Sequence, residues 1–256
     1  ALAGTDGLIR MRIDYYKKGL ETFFNESKQY AEGTAFEPLM MQKVGANPTI
    51  DGKLDEPEWM QASALSFLRS MDKNEKTPKY PTTAQAVWTP DGVTFGFRMA
   101  EPTPDKLYNK APAAAGESWG NDNVELYFDV TGKGEGDFFQ IIFDTRHKEG
   151  MFMSHSTDKE RWKPKGVKEE IFRGKDFWSA EIFIPFSEFE SIKGAQLPKT
   201  MSNGMFWTGN FTRRRVADFE SPDKAPDSTE ERQRLHTRYS VWNSDQSAFG
   251  VFKFKE

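Results

Sequence analysis

The chain has 256 residues, of which 37% are hydrophobic and 14% aromatic, and its formal net charge at pH 7 is -4. That length suffices for one large domain, or for a domain with an appendage. The small net charge argues against a nucleic-acid partner, and no apolar stretch is long enough to span a membrane. Cysteine is absent, which excludes disulfides, thiolate zinc sites and haem attached through cysteine.

The first predicted element is an amphipathic helix over residues 13–31, where apolar side chains recur at steps of three and four. Gly33 follows as a signal for the end of the helix. We therefore predict an N-terminal helix within residues 1–35, either packed on the next domain or ending an upstream one, and a main domain over 36–256. The chain starts at Ala1 instead of Met, so we expect a processed chain or a piece of a longer polypeptide.

Beyond the helix the hydrophobic period changes to two. Alternation of apolar and polar side chains is the pattern of strands that bury one face. It occurs, or strands otherwise fit, at residues 84–88, 93–99, 124–129, 138–144, 151–154, 178–184, 205–213 and 249–255. Many short strands without intervening helices predict an all-β fold, an antiparallel β-sandwich of the immunoglobulin-like or jelly-roll type.

Five short stretches of sequence, which we call phrases, lie within and between these strands. They are PTIDGKLDEPEW at 48–59, WTPDGVTF at 88–95, WGNDNVELYFD at 119–129, WSAEIFIP at 178–185, and YSVW at 239–242 followed by Phe249-Gly250. Taken alone, the first phrase predicts only a hairpin-type turn, an acidic turn and a core tryptophan. In this order, over roughly residues 36–256, the phrases resemble family 9 carbohydrate-binding modules. The resemblance implies a β-sandwich that binds sugars.

The same resemblance implies a set of sugar-binding residues. In the family, two tryptophans clamp a terminal sugar, and Trp119 and Trp242 match their positions, although Trp242 could instead cap the core. Glu125 matches a carboxylate that accepts hydrogen bonds from hydroxyls, and its parity places it opposite the apolar face of its strand; the alternative is a solvated surface carboxylate. Gln140 stands where the family has a basic residue. The predicted ligand-binding residues are Trp119, Glu125, Gln140, Asn210, Arg213 and Trp242.

Catalysis is not expected. A glycosidase needs two carboxyl groups about 5 to 9 Å apart, whereas Asp122 and Glu125 are three residues apart on an extended chain and should point to opposite faces. Both stand beside a polar Gly-Asn turn that we expect to stay wet. None of the three histidines has a nucleophile motif nearby. Four other tryptophans are predicted to lie in the core: Trp59, Trp88, Trp178 and Trp207.

No cofactor is required, but some family members bind structural calcium. Asp51, Asp55 and Glu56 offer the hard oxygen ligands that calcium prefers, with solvated turn acids as the alternative. A function from another class is a haem b-binding sandwich domain of a redox protein. Met151 and Met153 near His155 suggest it, although methionine in strands usually fills the core.

The resemblance also implies a biological setting. The expected ligand is an oligosaccharide or polysaccharide chain end, and the expected partner is an upstream catalytic domain of the same polypeptide. Such a polypeptide would be a glycan-degrading protein, extracellular or periplasmic. Neither a nucleic acid nor a membrane is expected as a partner.

Overall fold

The structure is a computed structural model. It describes residues 37–67, 69–70, 78–108, 121–132, 138–145, 151–155, 164–189, 201–216, 230–235 and 249–256, with Lys17 and Gln246. The chain divides into two compact units, Ala1–Glu37 and Pro38–Glu256. Apart from Lys17, which is helical, the predicted helix over 13–31 lies outside the described residues. The N-terminal helix and the domain boundary beside it therefore stay predictions.

The described part of the chain is built of strands and short 3-10 turns. The strands are β1 (Leu39–Lys43), β2 (Leu65–Ser66), β3 (Arg69–Ser70), β4 (Thr82–Thr89), β5 (Gly92–Ala100), β6 (Asn123–Asp129), β7 (Phe138–Asp144), β8 (Met151–His155), β9 (Lys168–Arg173), β10 (Phe177–Pro185), β11 (Phe206–Val216), β12 (Glu230–Arg234) and β13 (Gly250–Lys255). The turns are Trp59–Gln61, Pro104–Lys106 and Phe186–Phe189. Among these residues no helix has the length and apolar character needed to cross a bilayer. The predicted all-β class is confirmed.

The strands join in one curled sheet in the order β8-β7-β6-β11-β13-β1-β4-β5-β10-β9, with β2, β3 and β12 attached at its sides. Almost all neighbouring strands in it are antiparallel, as predicted. The exception is β1, which pairs in parallel with both β13 and β4. The sheet is therefore mixed, and the prediction of a purely antiparallel sandwich is corrected at this strand. Its sequence, LMMQK, carries no signal that distinguishes the two directions.

Curling brings the inner faces of the two halves of the sheet together around an aromatic core. Phe95 of β5 lies 6.3 Å from Phe128 of β6 and 5.2 Å from Phe211 of β11, measured between ring centroids. Each buried side chain of this size contributes roughly 1.5 to 3 kcal/mol. The four tryptophans predicted to be internal are at most 2% exposed, which confirms their assignment: Trp59, Trp88, Trp178 and Trp207.

A buried carboxylate on β10 fastens the turn at residues 51–52 to the sheet. Oε2 of Glu181 accepts hydrogen bonds from the backbone N–H groups of Asp51 and Gly52, at 2.8 and 2.7 Å. Its Oε1 accepts a bond from Nε1 of Trp59 at 2.7 Å. We call this arrangement the Glu181 cradle. It joins two phrases that are far apart in the sequence, 48–59 and 178–185, and gives their co-occurrence a structural reason.

Candidate functional site

The outer face of β6, β7 and β11 brings several predicted site residues together. Because side chains alternate along a strand, Glu125 and Tyr127 of β6 point away from the core that holds Leu126. In the register of the sheet, Tyr127 is flanked by Gln140 on β7 and by Asn210 on β11. Three of the predicted residues thus lie on one face, with Tyr127 between them.

Glu125, Tyr127 and Gln140 form a hydrogen-bonded group, which we call the polar cluster. The hydroxyl of Tyr127 donates to Oε2 of Glu125. Nε2 of Gln140 lies 3.0 Å from the same carboxylate oxygen and 2.9 Å from the hydroxyl oxygen of Tyr127. Two donors therefore fix the orientation of the Glu125 carboxylate before any ligand arrives. The amide of Gln140 thus contacts both of its neighbours in the polar cluster.

The polar cluster is buried, which differs from the wet surface expected from the sequence. Glu125 is 7% exposed, Tyr127 3% and Gln140 5%, and Asn210 beside them is 1% exposed. Hydrogen bonds gain strength where water is excluded, and an unpaired polar group there costs about 1 to 3 kcal/mol. Side chains in such a place therefore recognise a ligand hydroxyl more strongly than the same side chains in open solvent.

An aromatic group positions one end of the polar cluster. The ring of Tyr127 lies 6.4 Å from that of Phe138 and 6.3 Å from that of Phe249, and the latter two meet edge to face at 5.8 Å. All three are buried on the outer face, separate from the main core. This packing fixes the Tyr127 ring, and with it the hydroxyl that contacts Glu125.

The remaining predicted sugar-binding residues do not join this face in the described structure. Trp119 and Trp242 lie outside the described residues. Arg213 lies on the opposite face of β11, because it is three residues from Asn210 on an extended strand. Its guanidinium is fully buried and donates to the carbonyl oxygens of Tyr80 and Ala100, both at 2.9 Å. The predicted grouping of Arg213 with the other site residues is therefore corrected: its contacts are those of an internal support.

The expectation that Asp122 stays wet is wrong. Its side chain is fully buried at the start of β6, and burial raises its pKa to about 7. Backbone N–H groups of Tyr108 and Val216 donate to its two oxygens, and these bonds oppose the upward shift of the pKa. The sequence shows a polar turn here, but it does not show which distant segments cover it.

The three carboxylates of Asp51, Glu56 and Glu181 come within 4.8 Å of one another, while Asp55 is outside this group. Their oxygens are the ligand type that calcium prefers, in sets of about six to eight. However, Glu181 already accepts three N–H bonds, and Oδ2 of Asp51 lies 2.6 Å from Nζ of Lys53. The residues therefore do not fit a calcium site.

Proton uptake offers another way to relieve the repulsion in this acidic group. Oε2 of Glu56 is buried without a hydrogen-bond partner, and burial raises the pKa of Glu56. Burial likewise raises the pKa of Glu181, although its N–H partners oppose the shift. A proton held at Glu56 would reduce the charge of the group without a metal ion.

Two residues important to this geometry were absent from the sequence-based prediction. Tyr127 could have been found, because it stands two residues from Glu125 and therefore shares its face. Glu181 could not have been found from local pattern, since its partners lie more than a hundred residues earlier in the chain. It stands at an ordinary strand position in a predicted strand.

The curled β-sandwich with this outer face has the fold of family 9 carbohydrate-binding modules. A module of that family from Caldicellulosiruptor kristjanssonii, in complex with cellotriose, is similar with a TM-score of 0.58 and 15% identity, over 86% of this chain and 94% of that one. The same organism's module in complex with glucose gives a TM-score of 0.56 and 15% identity, over 84% and 95%.

A further solved structure, a "putative carbohydrate-binding protein" from Bacteroides uniformis, has a TM-score of 0.60 and 13% identity, over 86% of this chain and 99% of that one. No family model and no curated protein matches the chain. At these identities the likeness is one of fold, and at that level it confirms the resemblance predicted from the five phrases.

Proposed function

We propose that this chain binds a carbohydrate, without catalysis, on the outer face of β6, β7 and β11. The observation that carries the proposal is the polar cluster, a carboxylate held in one orientation by a tyrosine and a glutamine on a buried sheet face. The fold supports it, since the similar family 9 modules are described in complex with cellotriose and with glucose.

The chemistry of the face suits the hydroxyl groups of a neutral sugar. Glu125 would accept hydrogen bonds from hydroxyls, whereas the amides of Gln140 and Asn210 can both donate and accept. Trp119 and Trp242 would supply flat apolar surfaces for the C–H faces of the ring. An oligosaccharide or polysaccharide chain end is the proposed ligand, and glucose and cellotriose are the first probes.

A glycosidase site is not favoured by the described carboxylates. The close group of Asp51, Glu56 and Glu181 has the proximity that a pair of catalytic carboxyls requires. Glu181 is fully buried, and three N–H donors hold it in the turn that they fasten. A carboxylate that is engaged by three donors cannot act as a nucleophile or a proton donor without releasing that turn. We propose a module of a larger glycan-degrading polypeptide, extracellular or periplasmic, with an upstream catalytic domain.

Calorimetric titration with glucose and cellotriose tests the proposal. Binding should be saturable in the unaltered chain, and Trp119→Ala and Glu125→Gln should each weaken it by about tenfold or more, equivalent to about 1.4 kcal/mol or more. Met60→Ala is the control, because Met60 is 87% exposed and belongs to a distant turn. Normal binding by a folded Glu125→Gln protein would show that the polar cluster is not part of the binding site.

Failure of all neutral oligosaccharides in a glycan array would refute carbohydrate binding itself. Incubation with aryl glycosides provides the second arm of the experiment, and we expect no product above background. Product formation that is lost in Glu125→Gln would instead identify this face as an active site.

A further inference from the structure

Asp122 connects several segments at one end of the proposed binding face. Its Oδ2 lies 2.6 Å from the backbone nitrogen of Tyr108, and its Oδ1 lies 3.2 Å from that of Val216. Its own backbone N–H donates to the carbonyl of Tyr108 at 2.9 Å, and its carbonyl accepts a bond from Thr145. One buried residue therefore joins the segment around Tyr108, the start of β6, and the ends of β7 and β11.

These segments carry the residues proposed to contact the sugar. β6 begins immediately after Asp122 and carries Glu125, while β11 ends at Val216 and carries Asn210. A shift of the Asp122 carboxylate would consequently change the spacing between β6 and the end of β11, and with it the spacing between Glu125 and Asn210.

We propose that Asp122 is a positioning residue for the sugar, which holds the strands that carry Glu125 and Asn210 in register without touching the ligand itself. This inference rests on the function proposed above. The sugar affinity would then depend on the side chain of Asp122, which lies three residues before Glu125 and points to the opposite face. Small displacements at a binding site cost affinity because the hydrogen-bonding groups must meet the ligand at fixed distances.

The protonation state of Asp122 should control this positioning. An ionised carboxylate accepts both N–H bonds with the strength of charge assistance, whereas a protonated one accepts them more weakly. Burial raises the pKa of Asp122 to about 7, while the nearby Arg213 lowers it and Glu101 raises it. Glu101 is itself paired with Arg215 at 2.7 Å. Sugar affinity should therefore increase from pH 6 to pH 8.

Asp144, a neighbouring acidic residue at this end of the face, also accepts a hydrogen bond. Nδ2 of Asn121 donates to Oδ2 of Asp144 at 2.9 Å. The centroid of the Tyr80 ring lies 3.8 Å from the guanidinium carbon of Arg215, the partner of Glu101. Arg215 also interacts electrostatically with Asp122, so its charge belongs to the environment in which the Asp122 carboxylate ionises.

The test compares binding of cellotriose between pH 6 and pH 8 in the unaltered chain and in Asp122→Asn. The unaltered chain should bind about fivefold more tightly at pH 8, since a hydrogen bond to a charged group is stronger than a neutral one by about 1 kcal/mol. Asn cannot ionise, and its amide nitrogen cannot accept the second N–H bond. Asp122→Asn should therefore lack this increase and bind about fivefold more weakly at pH 8.

Asp129→Asn is the matched control, because Asp129 is buried at the opposite end of β6, where it accepts bonds from Thr131. Its pH profile should keep the slope of the unaltered chain. The difference between the profiles of the unaltered chain and Asp122→Asn is the quantity that decides, because any pH effect that the two proteins share cancels in it.

Amide hydrogen exchange provides a readout without ligand. The N–H groups of Tyr108 and Val216 should exchange faster in Asp122→Asn, while the rest of the sheet remains protected. Identical pH profiles in the two proteins would overturn the positioning role while leaving sugar binding intact. Absence of sugar binding by the unaltered chain at every pH would overturn the proposed function and this inference together.

Discussion

Replacing Glu181 by Gln tests whether the Glu181 cradle fastens the turn at 51–52 to the sheet. The substitution keeps the shape of the side chain but replaces one oxygen by an NH2 group. The remaining oxygen can face either the N–H groups of Asp51 and Gly52 or the indole N–H of Trp59. At least one buried N–H then loses its acceptor and faces another donor.

The size of the effect follows from these contacts. One buried donor without an acceptor costs about 1 to 3 kcal/mol, and the surviving bonds lose their charge assistance. Removal of a buried charge partly offsets this loss, because burial of the ionised carboxylate is itself unfavourable. We expect a net loss of about 3 kcal/mol of unfolding free energy. In a domain of this size that lowers the melting temperature by roughly 6 to 12 °C.

Thermal unfolding followed by circular dichroism measures the loss, and the indole N–H resonance of Trp59 locates it. Glu58→Gln is the control, because Glu58 lies in the adjacent turn and makes no capping hydrogen bond. It should change stability by less than about 0.5 kcal/mol. A melting temperature of Glu181→Gln within about 2 °C of the unaltered chain would show that the cradle does not stabilise the fold.

Two further predictions concern the same region. Gly52→Ala should destabilise the chain by about 3 kcal/mol or more, since Gly52 has a φ of 82° and an added Cβ would lie 2.5 Å from the backbone of Ile171. Gly45→Ala is the control, because an added Cβ there would have no atom within 4 Å, and it should leave the melting temperature nearly unchanged. Calcium at millimolar concentration should leave the melting temperature unchanged, because the carboxylate of Glu181 is already occupied by N–H donors. An increase of several degrees that a chelator reverses would instead establish a metal site there.

Strand periodicity predicted much of this fold because it reports directly which side chains are buried. It placed Glu125 on the face opposite Leu126, and register then brought Gln140 and Asn210 beside it. The same rule separates Arg213 from Asn210, because residues three apart on a strand point to opposite faces. Local pattern could not reveal the burial of Asp122, because the groups that cover it come from distant segments.

The direction of β1 was also beyond the reach of local pattern. Pairing direction is decided by long-range connections, and the strands on either side of β1 lie in separate parts of the sequence. Similarly, the Glu181 cradle depends on contacts between a turn and a strand that only the folded sheet brings together. The phrases around them were recognisable, but their physical relation was not.

The parallel pairing of β1 with β13 has a consequence for biosynthesis. β1 and β13 together form the seam between the strands β8-β7-β6-β11 and the strands β4-β5-β10-β9. Leu39 of β1 pairs with Phe252 of β13, so the seam cannot close until translation has reached the last described strand. Until then the edges of β11 and β1 that β13 will cover remain open to pairing with other nascent chains. Such high contact order favours slow folding, and expression at reduced temperature should increase the soluble yield.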